Sequence, residues 1–230
     1  HSTHFLAPLE SLFLLPPDQT PETACFLPNM ETAVNLVQDA APLLGERVLV
    51  LGQGMVGLLA VSLLKEFPLQ VLVSADPIPL RRQASPASHS LDPASAEFRQ
   101  QAGELLQDGA DLTLELSGHP AALEDAIALT GFAGRIIVGS WYGEKPASLN
   151  LGGTFHRSRI RLISSQVSTI APGLSARWDK ARRFDVAWDA LRRIHPEKWI
   201  THRYSIDQAS EAFRLLDETP AEALQVIFQY

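Results

Sequence analysis

The chain has 230 residues, a formal net charge of −7 and 46% hydrophobic residues, which is an ordinary globular composition. Its acidic balance argues against a nucleic acid or an anionic membrane as partner, and it holds no apolar run of about 18 residues that could cross a membrane. Cys25 is the single cysteine, which excludes an intrachain disulfide framework and a multi-cysteine zinc site within the chain and fits a cytoplasmic location.

The first part of the chain predicts short elements. Residues 5–15 read as two short extended pieces, ended by Pro16 and Pro17. A helix is expected after Thr20, a good N-cap residue, with Pro21 in its first turn. Pro28 interrupts this helix, and an apolar-periodic run over 30–41 resumes it. Because the chain opens at His1 without a methionine, we interpret it as starting inside a longer protein.

The middle of the chain alternates short apolar strands with helices. The strands are predicted at 47–51, 70–74, 90–91, 111–116, 135–138 and 159–164. The helices are predicted at 55–67, 95–106 and 121–130. This alternation is typical of a parallel sheet covered on both faces. We therefore expect a doubly wound α/β Rossmann fold with a mostly parallel, six-stranded sheet. A long helix over 175–194, a second helix over 206–216 and a closing strand over 224–230 are expected to follow.

The strongest functional motif is a glycine turn between the strand at 47–51 and the next helix. Gly52, Gly54 and Gly57 form a G-x-G-x-x-G pattern. The first glycine permits a tight turn, the second lets a pyrophosphate approach the backbone, and the third lets the helix pack closely on the sheet. The pyrophosphate would sit on the free N–H groups of the helix start, with the Val56 backbone as a secondary contact.

An acidic residue stands where this motif requires one. Asp76 follows Gly57 by 19 residues, at the end of the next strand, where a carboxylate accepts hydrogen bonds from the adenosine ribose. A carboxylate there also repels a 2′-phosphate, so we expect NAD(H) rather than NADP(H). Arg81 and Arg82 follow closely; Arg81 is a candidate for the adenine side, although both arginines are also consistent with a solvated helix start.

Later strand ends offer further candidate contacts, because ligands of open α/β sheets bind at the carboxyl ends of the strands. Ser117 and Gly118 follow one strand, and Ser140 follows the next. Ordinary turn chemistry is the alternative for these small residues. Trp141 and Tyr142 either wall a substrate pocket or merely pack.

Taken together, the motifs resemble the medium-chain dehydrogenase/reductase superfamily, of the zinc-type alcohol dehydrogenase kind. The matching segments are 21–37, 45–57, 71–82, 110–118, 134–139, 159–165, 200–204, 209–213 and 224–228. They correspond to the last two thirds of such an enzyme. The resemblance implies remnants of a GroES-like catalytic domain at both chain ends. By this resemblance, residues 1–28 are a remnant of the catalytic domain, residues 29–170 are the Rossmann domain, and residues 171–230 return to the catalytic domain.

The resemblance also implies which chemistry this chain carries. It implies an oxidoreductase that moves a hydride between an alcohol or carbonyl substrate and NAD(H), with a truncated chain that is inactive on its own as the alternative. Zinc is not expected here, because Pro28 and Asn29 stand at the nearest ligand positions and Cys25 is interpreted as a buried small residue. No catalytic residue is assigned. A homodimer through the sheet edge near residues 159–165 is implied as well.

Two other functions stay open: a non-catalytic NAD(H)-binding module or assembly subunit, and a zinc-free, NADPH-dependent reductase of the same superfamily, against which Asp76 argues. Arg177, Trp178, Arg182 and Arg183 are interpreted as a solvated basic helix face that covers apolar surface.

Overall fold

The computed structural model describes residues 4–9 and 12–230, and a sheet of six parallel strands lies at their centre. The strands are β1 (Arg47–Leu51), β2 (Val71–Ala75), β3 (His89–Leu91), β4 (Ala110–Glu115), β5 (Thr130–Val138) and β6 (Arg161–Ser164). Their order is β3-β2-β1-β4-β5-β6, and every neighbouring pair is parallel. The winding therefore reverses between β1 and β4, as in a doubly wound sheet. The predicted α/β Rossmann fold is confirmed.

Helices cover both faces of this sheet. The α-helices of the described residues are α1 (Pro21–Ala24), α2 (Leu27–Ala40), α3 (Met55–Leu64), α4 (Pro79–Ala84), α5 (Phe98–Leu106), α6 (Ala122–Leu129), α7 (Lys180–Ile194) and α8 (Ala209–Glu218). α2, α3 and α7 pack with Val48 and Val50 in one buried cluster. α5 and α6 pack with Leu49 and Leu51 in the other. β1 is continuously apolar because successive side chains enter opposite, equally buried layers.

The turn from β1 into α3 has no room for side chains at two of its glycines. A Cβ on Gly57 would lie 2.1 Å from the Gly52 carbonyl oxygen. Gly52 has φ +95°, and a Cβ there would lie 2.6 Å from the Leu116 carbonyl carbon, so this left-handed residue needs both glycine's freedom and its size. These contacts fix the start of α3 directly above the carboxyl end of β1.

A second, small sheet lies outside the main one. It pairs β7 (Ile200–Ser205) in parallel with β8 (Gln225–Gln229), and α8 connects the two strands. The predicted closing strand thus exists. β7 was not predicted as a strand, and α4 was indicated only through the helix start considered for Arg81 and Arg82.

The prediction of extended strands in 5–15 is wrong for the residues that the structure describes. Residues 4–9 and 12–15 join no sheet, and Phe5, Leu9 and Leu14 are exposed. Glu10 and Ser11 lie outside the described residues. A strand requires a neighbour for its N–H and C=O groups, and no described strand runs alongside these segments.

The helix predicted over 175–194 starts later, at Lys180, because the Asp179 side chain caps it by accepting a hydrogen bond from the Arg182 N–H at 2.8 Å. The buried positions are Arg183, Ala187, Ala190, Leu191 and Ile194. Among the helices of the described residues, none is both long and apolar enough to span a membrane.

The tight packing of Gly57 gives a stability prediction. Gly57→Ala should lower the free energy of unfolding by about 1–3 kcal/mol, because the new Cβ overlaps the Gly52 carbonyl and the turn must shift. Urea unfolding followed by circular dichroism measures this change.

Gly103 provides the matched control for that substitution. It lies in α5, and a Cβ there meets nothing within 4 Å, so Gly103→Ala should raise stability by about 0.5–1 kcal/mol. Equal effects of the two substitutions would contradict the packing of α3 on the turn.

Candidate functional site

The six parallel strands of the main sheet have their carboxyl ends at one edge, and the glycine turn lies there. Gly54 is the N-cap of α3, and no side chain caps the first turn of this ten-residue helix. A Cβ built on Gly54 meets nothing within 4 Å, so the space above it is open. The helix start therefore presents uncapped N–H groups, including that of Val56, toward open space, which suits an anion.

Asp76 lies directly beside the turn, at the end of β2. The residue is only 2% exposed. One carboxylate oxygen accepts a hydrogen bond from the Gln53 N–H at 2.8 Å, and the other accepts one from the Ile78 N–H at 2.9 Å. Each oxygen can accept a second hydrogen bond. Asp76 thus fixes the turn to β2 and keeps acceptor capacity for a ligand.

The two neighbouring arginines differ in their contacts. An Arg81 nitrogen lies 3.8 Å from the Asp76 carboxylate. Arg82 donates hydrogen bonds to the carbonyls of Asp76 and Pro77, each at 2.8 Å, and pairs with Asp92 at 3.1 Å. Arg82 is therefore committed to holding α4 in place, whereas Arg81 faces the site.

A cleft of about 290 Å³ opens at this edge. Of the candidate residues it brings together Gly52, Asp76, Arg81 and Ser117. Further lining residues are Leu51, Ala75, Pro77, Ile78, Pro93, His119, Ala122, Asp125 and Pro220. Apolar walls with a few convergent polar groups are typical of a small-molecule site.

Gly118 and Ser140 lie outside this cleft, toward β5. The helix-start residues Gly54, Val56 and Gly57, which follow β1, also lie outside it. The Gly118 N–H donates to the Ser140 hydroxyl at 2.8 Å. This bond joins the loop after β4 to the loop after β5. The candidate residues therefore occupy one continuous edge, with Asp76 at one end and Ser140 at the other.

Sequence reasoning missed a buried carboxylate in the middle of this edge. Glu115, the last residue of β4, is completely buried. It accepts hydrogen bonds from the Ser117 N–H at 2.8 Å, from the Ser117 hydroxyl and from the Tyr142 hydroxyl. The only signal in the sequence was a glutamate that ends an apolar strand. Its contacts tie the loops after β4 and β5 to the sheet.

Burial and the hydrogen bond to Glu115 raise the pKa of Tyr142 far above its ordinary value. Tyr142 is half-buried and directs its hydroxyl into the protein, while Trp141 is 90% exposed. The two aromatic residues that were considered together as a pocket wall thus have different environments.

Two interpretations of buried and exposed residues are wrong. Cys25 is exposed, since it ends the one-turn helix α1 at the rim of an open groove beside Phe213 and Phe228. Arg183 is completely buried, because α7 turns this residue toward α2. Arg177 and Arg182 are exposed as predicted, and the Arg182 guanidinium lies 4.1 Å from the Trp178 ring centre.

No three His, Cys, Asp or Glu side chains lie close enough to hold a metal ion within the described ranges 4–9 and 12–230.

Comparison with known proteins relates the chain to dehydrogenases. It is 27% identical over 221 residues to the uncharacterized zinc-type alcohol dehydrogenase-like protein YphC of Escherichia coli, covering 94% of this chain and 60% of that protein. It is 24% identical over 209 residues to D-guloside 3-dehydrogenase of Escherichia coli, covering 88% and 59%. The chain thus spans about 60% of the length of these relatives. No family model matches it.

Solved structures share the fold. An alcohol dehydrogenase (rspB) from Escherichia coli complexed with NADH superposes with a TM-score of 0.81 at 21% identity, over 97% of this chain and 64% of that one. A zinc-binding dehydrogenase from Sinorhizobium meliloti bound to NADP gives a TM-score of 0.76 at 19% identity, over 95% and 62%. Structures of this fold have thus been solved with either nicotinamide cofactor.

The Tyr142–Glu115 contact predicts a late phenol ionisation. The pKa of Tyr142 is raised in the folded protein. Its stabilising contribution is therefore complete below the unfolded value of about 10 and is lost as the pH rises through the folded value. Of the three tyrosines, Tyr142 should ionise last in an absorbance titration at alkaline pH.

Tyr142→Phe should remove this late phase, while Tyr204→Phe should leave it in place. A late phase that persists in Tyr142→Phe would show that another group is responsible.

Proposed function

Because this chain is a homologue of the zinc-type alcohol dehydrogenase-like proteins of the medium-chain dehydrogenase/reductase superfamily, we propose that it is the NAD(H)-binding part of an alcohol dehydrogenase-like oxidoreductase. One observation carries the proposal: the glycine turn, the uncapped start of α3 and Asp76 lie side by side at the carboxyl edge of the sheet, where Gly52 and Asp76 line an open cleft.

The residues of the turn bind the cofactor's pyrophosphate. The free N–H groups at the start of α3 donate to the phosphate oxygens, and the positive end of the helix dipole favours their charge. Gly54 leaves room for this approach, since a side chain there would project into the open space. Gly52 and Gly57 act through packing, because they set the position of the helix.

Asp76 holds the adenosine ribose. Its two oxygens already accept from backbone N–H groups, so the carboxylate is fixed before the ribose hydroxyls donate to it. Its negative charge disfavours the 2′-phosphate of NADP(H). Arg81 lies close enough to the carboxylate to offset part of this repulsion, which makes the preference for NAD(H) a matter of degree.

The other end of the edge receives the nicotinamide half, near Gly118 and Ser140. When bound, this cofactor supplies the hydride chemistry, and the protein binds and orients it. Ser117 lines the cleft and also donates to Glu115, so it links the two halves. Substrates of the whole protein would be small alcohols or carbonyl compounds; two relatives carry the names D-guloside 3-dehydrogenase and L-threonine 3-dehydrogenase.

The proposal includes the organisation of the chain and its assembly. Residues 29–170 form the cofactor-binding domain, and 1–28 and 171–230 belong to the catalytic domain, in a cytoplasmic protein. A homodimer through β6 is proposed because β6 ends the sheet and Leu162 on it is 40% exposed. An open edge strand with an exposed apolar side chain requires covering.

The cofactor site is tested by titrating the chain with NADH and NADPH, following energy transfer from tryptophan to the nicotinamide. Saturable NADH binding that is tighter than NADPH binding is expected. Asp76→Asn should weaken NADH binding and bring the two affinities together, because the neutral amide no longer repels the phosphate.

Asp92→Asn is the matched control, since Asp92 is a neighbouring carboxylate that pairs with Arg82 outside the cleft. Its affinities for NADH and NADPH should equal those of the unmodified chain. A folded chain that binds neither cofactor would overturn the proposal.

The dimer is tested by light scattering on a size-exclusion column. The expected mass is twice 25.2 kDa. Leu162→Lys should shift it toward the monomer, because a charge on the paired edge opposes strand addition. Leu151→Lys, at a position that is 48% exposed but outside β6, should leave the dimer intact. A monomer at every concentration would contradict this assembly.

A further inference from the structure

The buried arginine of α7 uses its whole hydrogen-bonding capacity. Arg183 donates to the Glu31 carboxylate at 2.6 and 3.1 Å, to the Asn35 side-chain oxygen at 2.7 Å, to the Thr169 carbonyl at 3.1 Å and to the Val167 carbonyl. A guanidinium has five N–H donors, and all of them are engaged. A charge buried this completely is stable only because every donor has a partner.

Two of these acceptors belong to the segment that follows β6. Val167 and Thr169 lie just beyond the carboxyl end of this strand, and Gln166, Ser168 and Thr169 are exposed. No helix or strand includes these residues. Arg183 therefore holds an otherwise irregular and solvent-exposed backbone segment against the protein.

The helix α2 anchors the same segment from its other side. Glu31, Asn35 and Asp39 are spaced by four residues and so share one helix face. Asn35 donates to Ser165 at 2.9 Å and to Asp39 at 3.0 Å, and the Ser165 hydroxyl donates to Asp39 at 2.6 Å. Arg183 and this polar face of α2 form one connected network, which we call the α2–α7 clamp.

The clamped segment lies at the edge that carries the cofactor site. The Ser165 N–H donates to the Val138 carbonyl at 2.9 Å, next to Gly139 and Ser140 at the end of β5. Asp76 lies at the end of β2, on the other side of the winding reversal, and the cleft extends from there to Ser117 after β4. A dinucleotide bound across that reversal places its adenosine half at β2 and its second half toward β5 and β6.

From this geometry we infer that Arg183 is a positioning residue for the nicotinamide half of the cofactor. It fixes the backbone of 165–169 so that this segment borders the nicotinamide, while it makes no contact with the adenosine cleft. The inference rests on the proposed function, and it predicts that the clamp affects one half of the cofactor only.

The test compares NADH with ADP-ribose, which lacks the nicotinamide ring, on the folded 230-residue chain. Unmodified chain should bind NADH more tightly than ADP-ribose. Arg183→Met should weaken NADH binding by about tenfold and leave ADP-ribose binding unchanged. Energy transfer measures the first affinity and calorimetry the second. A purely structural role would weaken both ligands together.

Arg183→Met alone leaves the Glu31 carboxylate buried without its partner and can unfold the chain. The double variant Glu31→Leu with Arg183→Met removes both charges and is therefore measured in parallel, with the same expected result. Arg183→Lys should not restore NADH affinity, because an ammonium has three donors on one atom and cannot reach these acceptors together. Arg182→Met, at the exposed neighbouring position, should bind both ligands as the unmodified chain does.

Three outcomes overturn the inference. They are equal affinities of the unmodified chain for NADH and ADP-ribose, a parallel loss of both in the folded double variant, and unchanged NADH affinity in that variant. If the unmodified, folded chain binds neither ligand, the proposed function itself fails and the inference fails with it. If it binds both and only the inference fails, the Asp76→Asn result still stands.

Discussion

The close approach of α3 to the glycine turn is the constraint on which the rest of this structure depends. The Gly57 backbone lies so near the Gly52 carbonyl that no side chain fits between them. The contact puts the start of the helix above the end of β1, where its N–H groups face open space. Moving the helix outward by the width of one methyl group would shift these N–H groups relative to Asp76, which is held to the same turn through the Gln53 N–H. The small size of Gly57 is therefore required both for packing the helix on the turn and for placing the N–H groups where a ligand can reach them.

Buried carboxylates give the edge of the sheet its rigidity. Asp76 and Glu115 each end a strand and each accept hydrogen bonds from the backbone of the loop that follows or faces it. Loops at strand ends are ordinarily the most variable part of such a fold. Here the two carboxylates hold the loops by direct hydrogen bonds, so the edge is organised before a ligand arrives and less ordering is required when one binds.

The sequence predicted the parts of the fold that local pattern determines. β1 and the glycine turn were placed correctly because an apolar run, three glycines and a helix start follow one another directly. Elements that depend on distant partners were not predictable. The extended pieces in 5–15 have strand-like composition, yet whether they pair depends on a neighbour elsewhere in the chain.

In the candidate site, too, local sequence features were predictable and contacts between distant residues were not. Asp76 was identified from its spacing, whereas the role of Glu115 depends on Tyr142, which lies 27 residues later. Adjacent arginines 182 and 183 look equivalent in the sequence. Only the position of α2, some 150 residues earlier, decides that the second one is buried. Cys25 was misjudged for a related reason, since its exposure depends on the open groove beside Phe213.

The buried pair of Glu31 and Arg183 also restricts how this protein can change over generations. Losing either partner leaves the other as an uncompensated charge in the interior, while losing both together is tolerated far better. Each substitution is therefore harmful on its own but favourable once the other is already present, which is sign epistasis. A lineage that carries this pair is held to it unless both codons change nearly at once, so the pair can persist even where selection on cofactor binding is weak.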